Sequence, residues 1–169
     1  YRNNEAATVS GWEIDANITL FDGVDYDGFI AGNIAQTESE ITLDPLSAQL
    51  EADPNRPLQG LSPWIANLQF GVDHIASEQS LTLVVNFFDD RIDRVVRSSI
   101  NNAIYELGRT ELGINYEKTW INGSSLSVKL GNLLDEKTQY QRQSTGGLVN
   151  LEESWSRGRT ISLGYSYEF

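Results

Sequence analysis

The chain of 169 residues contains no cysteine and no methionine, and it has a single histidine, His74. Without cysteine there is no disulfide framework, no thiolate metal site and no cysteine nucleophile. One histidine excludes a multi-histidine metal centre, and since His74 falls in a predicted turn we find no Ser–His–Asp triad around it. We therefore expect neither an enzyme nor a bound cofactor or metal. No initiator methionine is visible, so we expect a mature or internal piece of a longer polypeptide.

Long apolar runs and positive charge are also scarce. No stretch approaches the roughly 20 consecutive apolar residues of a transmembrane helix. Lys and Arg together number 12 against 24 Asp and Glu, which gives a net charge of −12. This balance excludes nucleic acid as a partner, because phosphates need clustered basic side chains, and it argues against anionic lipid surfaces. Low hydropathy does not exclude membrane strands, which are only half apolar.

Alternation of apolar and polar residues dominates the chain, and its period of two predicts β-strands. The first strand, "ATVSGWEIDANITLF", places Trp12, Ile14 and Ile18 on one side and Glu13 and Asp15 on the other. In all, the pattern predicts seven strands, at about 7–21, 28–39, 63–74, 80–90, 104–118, 124–136 and 158–169.

The predicted connections alternate in length. Short turns, "DGVDYDG", "DHIASEQ" and "EKTWINGS", alternate with long polar segments at about 38–62, 88–103 and 135–156. Short turns at one end and long loops at the other are typical of a transmembrane antiparallel β-barrel. One segment, "RIDRVVRSSINNAI", fits helical spacing about as well; we interpret it as strand extension and loop, with a short loop helix as the alternative.

The apolar side of these strands is predicted to face lipid, and the polar side, with Gln69 and Asn115, a watery lumen. Aromatic residues gather at two heights, as membrane interfaces favour. Trp12, Trp64, Phe87 and Tyr105 fall at the long-loop end, and Phe70, Tyr116, Tyr165, Tyr167 and Phe169 at the other. The alternative is that they are core aromatics of a β-sandwich. The predicted lipid-facing residues are Trp12, Ile14, Ile18, Leu68, Phe70, Leu83, Val85, Ile114, Val128 and Leu163.

Three motifs carry a resemblance to a known family. "NRPLQGLSPWIANLQFGVD" (Asn55–Asp73), "LSVKLGNLLDE" (Leu126–Glu136) and the closing "GRTISLGYSYEF" resemble, in the expected order, late strands of TonB-dependent outer-membrane receptors. Leu61 stands where the family often has a second Gln, and Arg157 stands where a Pro often precedes Gly-Arg-Thr. The resemblance covers nearly the whole chain.

The resemblance implies an all-β fold: the last seven strands of a 22-strand type barrel, with the plug domain, the TonB-contact segment and the earlier strands outside this sequence. It implies active transport in the bacterial outer membrane, in which extracellular loops bind a scarce ligand that TonB-supplied energy imports. The implied partners are the rest of the barrel and plug, the TonB complex, outer-membrane lipid and a small-molecule or oligomeric ligand that the sequence does not name.

The chain ends on a strand whose last residues match the signal read by the barrel-assembly machinery. The match consists of Ser162, Gly164, Tyr167 and Phe169. Strand addition explains it physically, because the last strand offers unpaired backbone groups for templated pairing. We expect this strand to close the larger barrel.

Other interpretations stay open at this point. Asp22, Asp25 and Asp27 have the oxygen density of a Ca²⁺ loop, although Asp-Gly pairs are ordinary hairpin residues. Alternating charges in "DDRIDR" (Asp89–Arg94) favour solvated ion pairs over a ligand site. The acidic inward side either solvates a watery lumen or selects cationic or metal-chelate cargo. As whole functions, a self-contained eight-strand barrel that anchors to the membrane and a secreted carbohydrate-binding β-sandwich are the alternatives.

Overall fold

The computed structural model of the chain describes residues 6–50, 54–96, 101–144 and 149–167. Twelve strands make up most of the described residues, together with one helical turn, α1 (Pro45–Ala48), and a 3₁₀ turn at Ile75–Ser77. The strands are β1 (Ala6–Asp22), β2 (Tyr26–Thr42), β3 (Asn55–Arg56), β4 (Trp64–His74), β5 (Gln79–Phe88), β6 (Arg91–Arg94), β7 (Asn101–Glu106), β8 (Arg109–Thr119), β9 (Ser124–Gly131), β10 (Lys137–Ser144), β11 (Val149–Ser156) and β12 (Thr160–Tyr167).

Seven long strands form the main sheet in the order β1-β2-β4-β5-β8-β9-β12, with the short β3 paired to β2. Every neighbouring pair is antiparallel. The predicted all-β class is therefore confirmed, and the seven strands pair with their neighbours in sequence order. In the described part of the chain the sheet is open, since β1 and β12 form its two edges and do not pair with each other.

The connections alternate as predicted. The turns after β1, β4 and β8 span only a few residues, whereas the connections after β2, β5 and β9 are long and contain the remaining elements. In an antiparallel sheet all short turns then lie at one end, and all long connections at the other. We call these the short-turn end and the long-connection end.

The connections after β5 and β9 build a second sheet that the sequence did not predict. Its order is β11-β10-β7-β6, and we call it the outer sheet. The segment 91–104 supplies β6 and most of β7. Its described residues therefore give no support to the alternative of a short loop helix, and residues 97–100 lie outside the described part of the chain.

The helical turn α1 begins after Asp44, whose side chain accepts hydrogen bonds from the amides of Leu46 and Ser47.

One predicted strand is wrong in its extent. The segment 104–118 is divided into β7 and β8, because the chain turns at Leu107 and Gly108. The amide of Leu107 donates to the carbonyl of Gln139, and that of Gly108 donates to Asp90 Oδ1 at 2.6 Å. Tyr105 therefore belongs to the outer sheet, and its prediction as part of an aromatic girdle on a long strand is wrong.

The buried hydrophobic core lies at the long-connection end. Among the described residues it consists of Ile41, Leu43, Ile92, Ala103 and Ile104. The main sheet is instead a single layer with exposed apolar side chains: Ile14 is 58% exposed and Leu163 is 74% exposed. A sandwich would bury such residues against a second sheet. Within the described residues, no helix is long and apolar enough to cross a membrane.

Candidate functional site

The strand register of the main sheet sorts its side chains into two faces. Residues directly opposite each other on neighbouring strands form rows, and every residue of a row lies on the same face. One row crosses the whole sheet and is apolar throughout: Ile18, Ile30, Phe70, Leu83, Ile114, Leu130 and Ile161. The rows two residues away on either side continue the pattern, with Ala16, Gly32, Leu68, Val85 and Leu112 in one and Val72, Leu81, Tyr116, Val128 and Leu163 in the other.

All the residues predicted to face lipid lie on this one face, which we call the apolar face. Trp12 and Ile14 lie nearest its long-connection end, and Val128 and Leu163 lie nearest the short turns. Small residues open a groove of about 370 Å³ along it, where Ala16, Gly32 and Ala66 lie between isoleucines. The structure therefore brings the predicted set together on a continuous, exposed apolar surface, and contact with lipid stays a prediction.

The opposite face, which we call the polar face, carries a row of amides and carboxylates. Asp15, Asn33, Asn67, Asn86 and Glu111 are direct neighbours across five strands. Two hydrogen bonds run along this part of the face: Asn67 Nδ2 donates to Asn33 Oδ1, and Asn33 Nδ2 donates to Glu13 Oε1, both at 2.8 Å. Gln69 and Asn115, predicted to face inward, also lie on this face.

Aromatic pairs lie at both ends of the apolar face. At the long-connection end the rings of Trp12 and Trp64 meet edge to face, with centroids 5.6 Å apart. At the short-turn end the rings of Tyr26 and His74 are 4.5 Å apart. Phe70, predicted for this end, lies nearer the middle of the face, two rows from His74. The aromatic residues thus frame the apolar rows between them.

A hydrogen-bonded network holds the short-turn end of β4, β5 and β8. Ser77 Oγ contacts His74 Nδ1 and accepts from Gln79 Nε2 at 2.6 Å. Tyr116 donates its hydroxyl proton to Gln79 Oε1 at 2.8 Å. Lys118 Nζ donates to the carbonyl of Ser77 and lies 5.6 Å from the Trp120 ring. The lone histidine, His74, is therefore a half-buried member of this network.

A charged cluster joins the outer sheet to the main sheet. The guanidinium groups of Arg91 and Arg109 lie 4.6 and 4.7 Å from the centre of the Phe88 ring. Glu106 is 7% exposed and accepts from both arginines, at 2.8 Å from Arg91 Nε and 2.8 Å from Arg109 Nη1. Burial raises the pKa of Glu106, but hydrogen bonds and positive charge from Arg109 and Arg91 outweigh it and hold the pKa below its usual value.

The rest of the "DDRIDR" segment reaches across the outer sheet. The Arg94 guanidinium lies 5.9 Å from the Tyr140 ring, and Arg94 Nη2 lies 3.8 Å from Glu153. Burial and the charges of Glu106, Asp93 and Glu153 raise the pKa of the Tyr140 hydroxyl. The prediction of solvated ion pairs suits Arg94, which is more than half exposed, whereas Arg91 is about one-third exposed and its ion-pair partner, Glu106, is buried.

The predicted assembly signal lies on the edge strand β12. Ser162 and Gly164 lie on the polar face opposite Lys129 and Ser127. A Cβ atom added to Gly164 would lie 2.5 Å from the hydroxyl oxygen of Ser127, so the glycine permits this close pairing. Tyr167 pairs with Ser124, and Phe169 lies outside the described residues.

The aspartates considered for Ca²⁺ form a turn. Asp27 Oδ1 accepts from the amide of Gly23 at 3.2 Å, and the carbonyl of Asp25 accepts from the amide of Ile75 at 2.9 Å. In the described part of the chain, no group of three or more His, Asp or Glu side chains is placed to hold a metal ion.

No protein-family model, curated protein or solved structure matches this chain. The geometry of the two faces and the two edges therefore carries the functional argument.

Proposed function

We propose that this chain is the carboxy-terminal part of the β-barrel of a TonB-dependent outer-membrane receptor, which binds a scarce ligand at its extracellular loops and imports it with TonB-supplied energy. The observation that carries the proposal is the main sheet: it has one apolar face and one polar face in continuous register, and among the described residues its two edges are unpaired.

The length of the strands supports a membrane-spanning role. β4 has 11 residues, from Trp64 near one end of the apolar face to His74 at the other. At about 3.3 Å per residue β4 extends for roughly 35 Å. With a tilt of about 45° it rises about 25 Å, which is the height of the apolar band on outer-membrane barrels.

The edges support a larger barrel over the self-contained alternative. Because seven antiparallel strands separate into four of one direction and three of the other, β1 and β12 run in the same direction. Pairing them would make one parallel contact in an otherwise antiparallel barrel, whereas bacterial barrels have an even number of strands. An unpaired edge costs several kcal/mol per backbone group in lipid. Each edge is therefore expected to pair with a further strand of the same receptor.

The long-connection end is the proposed extracellular side. Barrels of this kind have long extracellular loops and short periplasmic turns. Here the connections after β5 and β9 fold into the outer sheet, and the buried core at this end includes Ile92, which is 1% exposed. Such an ordered platform is suited to holding a ligand at the mouth of the lumen. The polar face, with its row of amides and carboxylates, would line the lumen and meet water or the plug.

Fractionation of the native protein tests the proposal. The polypeptide that contains this sequence should appear in the outer-membrane fraction and resist extraction at high pH. Its mass should correspond to a chain of several hundred residues. It should also be retained by the immobilised periplasmic domain of TonB. A native chain near 18.9 kDa would contradict the proposal and favour the small anchor. A protein that stays in solution without detergent would exclude both.

A further inference from the structure

The segment "RPLQGLSP" (Arg56–Pro63), which we call the arch, leads from β3 to β4 and bonds to β2 at both of its ends. Arg56 pairs with Ile41 in the β2–β3 ladder, and the carbonyl of Pro63 accepts a hydrogen bond from the amide of Thr37 at 2.8 Å. Arg56 is also buried, at 7% exposed. From these two fixed ends the middle of the arch extends to the outer sheet.

The tip of the arch is a tight turn. The amide of Leu61 donates to the carbonyl of Leu58 at 3.4 Å, and Gly60 has a φ of 80°. A positive φ at the third residue is typical of a type II turn, where glycine is preferred. A Cβ atom added to Gly60 would meet nothing within 4 Å, so the turn requires glycine for its backbone conformation rather than for space. Pro57 and Pro63 flank the turn, and their rings fix φ at both positions.

The tip bonds to β6, which is an edge strand of the outer sheet. The amide of Gly60 donates to the carbonyl of Ile92 at 2.8 Å, and Gln59 Nε2 donates to the carbonyl of Asp93 at 2.7 Å. The register of β6 with β7 shifts between Ile92 and Arg94, which makes Asp93 a bulged residue. Because a bulge leaves the extra residue outside the ladder, the Asp93 carbonyl is available to Gln59.

Burial differs between the base and the tip of the arch. At the base, Ser62 is 2% exposed, and the amide of Leu58 donates to Ser39 Oγ on β2 at 3.0 Å. At the tip, Gln59 and Gly60 are exposed. Exposed backbone hydrogen bonds open more readily than buried ones. The tip is therefore the part of the arch that can release its partner while the base stays bonded to β2.

We propose that the arch is a conformational clasp between the main sheet and the outer sheet. While Gln59 and Gly60 are bonded to β6, as in this structure, the upper part of β2 and the outer sheet move as one body, because the arch bonds to both. When the tip releases β6, the outer sheet moves separately from β2. The inference does not rest on the proposed function, since all of these contacts lie within the chain itself. In a receptor, the same clasp would fix the position of the extracellular platform.

Pulsed electron paramagnetic resonance on the full-length protein tests the clasp. Spin labels at Glu40→Cys on β2 and Lys137→Cys on β10, both exposed positions, report the distance between β2 and the outer sheet. The wild type should give one narrow distance distribution. Q59E should broaden it, because a carboxylate has no proton to donate to the Asp93 carbonyl. Q59K supplies a donor again and should keep the distribution narrow. The matched control is Q49E, because Gln49 is an exposed glutamine of the same connection that lies outside the arch.

A second label pair, Glu40→Cys and Glu117→Cys, lies within the main sheet and should give the same distribution in every folded variant. Hydrogen exchange at the Gly60 amide should be about fivefold faster in Q59E, the effect of losing one ordinary hydrogen bond. If Q59E disturbs the main sheet, Gly60→Ala supplies the second test, because it strains the turn and should also broaden the distance to the outer sheet. A distribution in folded Q59E or Gly60→Ala as narrow as in the wild type would overturn the clasp, and so would equal broadening in Q49E.

Discussion

At the scale of single residues, the face on which a side chain lies decides what a substitution does. Neighbouring positions on one strand differ completely in their surroundings: Leu68 and Phe70 belong to apolar rows, while Gln69 between them lies beside Ala31 and Val84 on the polar face. The alternation made this assignment possible from the sequence, because each strand separates two environments. The partners across each row were not predictable, since register depends on where neighbouring strands begin.

Leu83→Arg and Gln69→Arg form a matched pair that tests the two faces. A cation at mid-height on the lipid side of a barrel costs about 2–4 kcal/mol. On the lumen side it stays hydrated, so Gln69→Arg should cost much less. The free energy of unfolding in lipid bilayers, measured by denaturant titration of the full-length protein, compares the two directly. Equal losses for the two variants would show that the facing assignment is wrong.

Glu106 should make the outer sheet sensitive to acid. Its pKa is lowered in the folded protein, so its contribution to stability is complete above the usual pKa of a glutamate, 4.5, and is lost as the pH falls through the lowered value. Glu106→Gln should remove this contribution at neutral pH and lower the free energy of unfolding by about 1.5–3 kcal/mol, the range for hydrogen bonds to charged groups.

Hydrogen exchange at the Leu107 amide, which donates to the Gln139 carbonyl, reports the stability of this junction. The control is Asp93→Asn, because Asp93 pairs with the exposed Arg94 and such pairs contribute about 0–1 kcal/mol. Protection at Leu107 that is unchanged in Glu106→Gln, or that persists in acid as at neutral pH, would contradict the role of Glu106.

At the scale of elements, the long strands were predictable and the outer strands were not. β10, "KTQYQRQS", and β11 form between polar connections, so no contrast between apolar and polar sides marks them in the sequence. The sequence predicts β7 and β8 as one strand, because the alternation of apolar and polar residues runs through both. The available signal was Gly108, where an added Cβ would lie 2.6 Å from the carbonyl oxygen of Phe88, so the chain can pass there only as glycine. The Phe88–Arg91–Arg109–Glu106 cluster depends on that turn and was missed with it.

The last strand should matter more for assembly than for final stability. Deleting Phe169, or replacing it by Asp, removes one side chain whose burial is worth only roughly 1.5–3 kcal/mol. Under the assembly-signal hypothesis, the barrel-assembly machinery recognises this residue, so we expect insertion of the full-length protein to slow by more than the folded barrel weakens. Pulse-chase labelling, which follows conversion to the heat-resistant form, measures the rate. Unimpaired insertion of the truncated protein would contradict the assembly signal.

At the scale of the whole molecule, the open sheet is the feature on which the proposed function depends. Under that proposal, lipid covers the exposed apolar face, and further strands of the receptor pair with the two edges. Because this sequence contains no cysteine, cysteines introduced into it can be labelled with no native thiol in the same region.

The separation of the two edges tests the central claim most directly. One row of the polar face crosses the sheet from Thr19 on β1 to Ser162 on β12, with Lys129 next to Ser162. Six inter-strand steps of about 4.8 Å make this path roughly 29 Å long, and curvature shortens it slightly. Spin labels at Thr19→Cys and Ser162→Cys in the full-length protein, in its membrane, should therefore give a distance of about 25–30 Å by pulsed electron paramagnetic resonance.

The control is a pair of spin labels at Lys129→Cys and Ser162→Cys, which lie on adjacent strands. These labels should give the short distance of paired backbones, about 5 Å between Cα atoms. A distance between the edges as short as that of the adjacent pair would mean that β1 and β12 close a small barrel, and it would contradict the assignment of this sheet to a larger receptor.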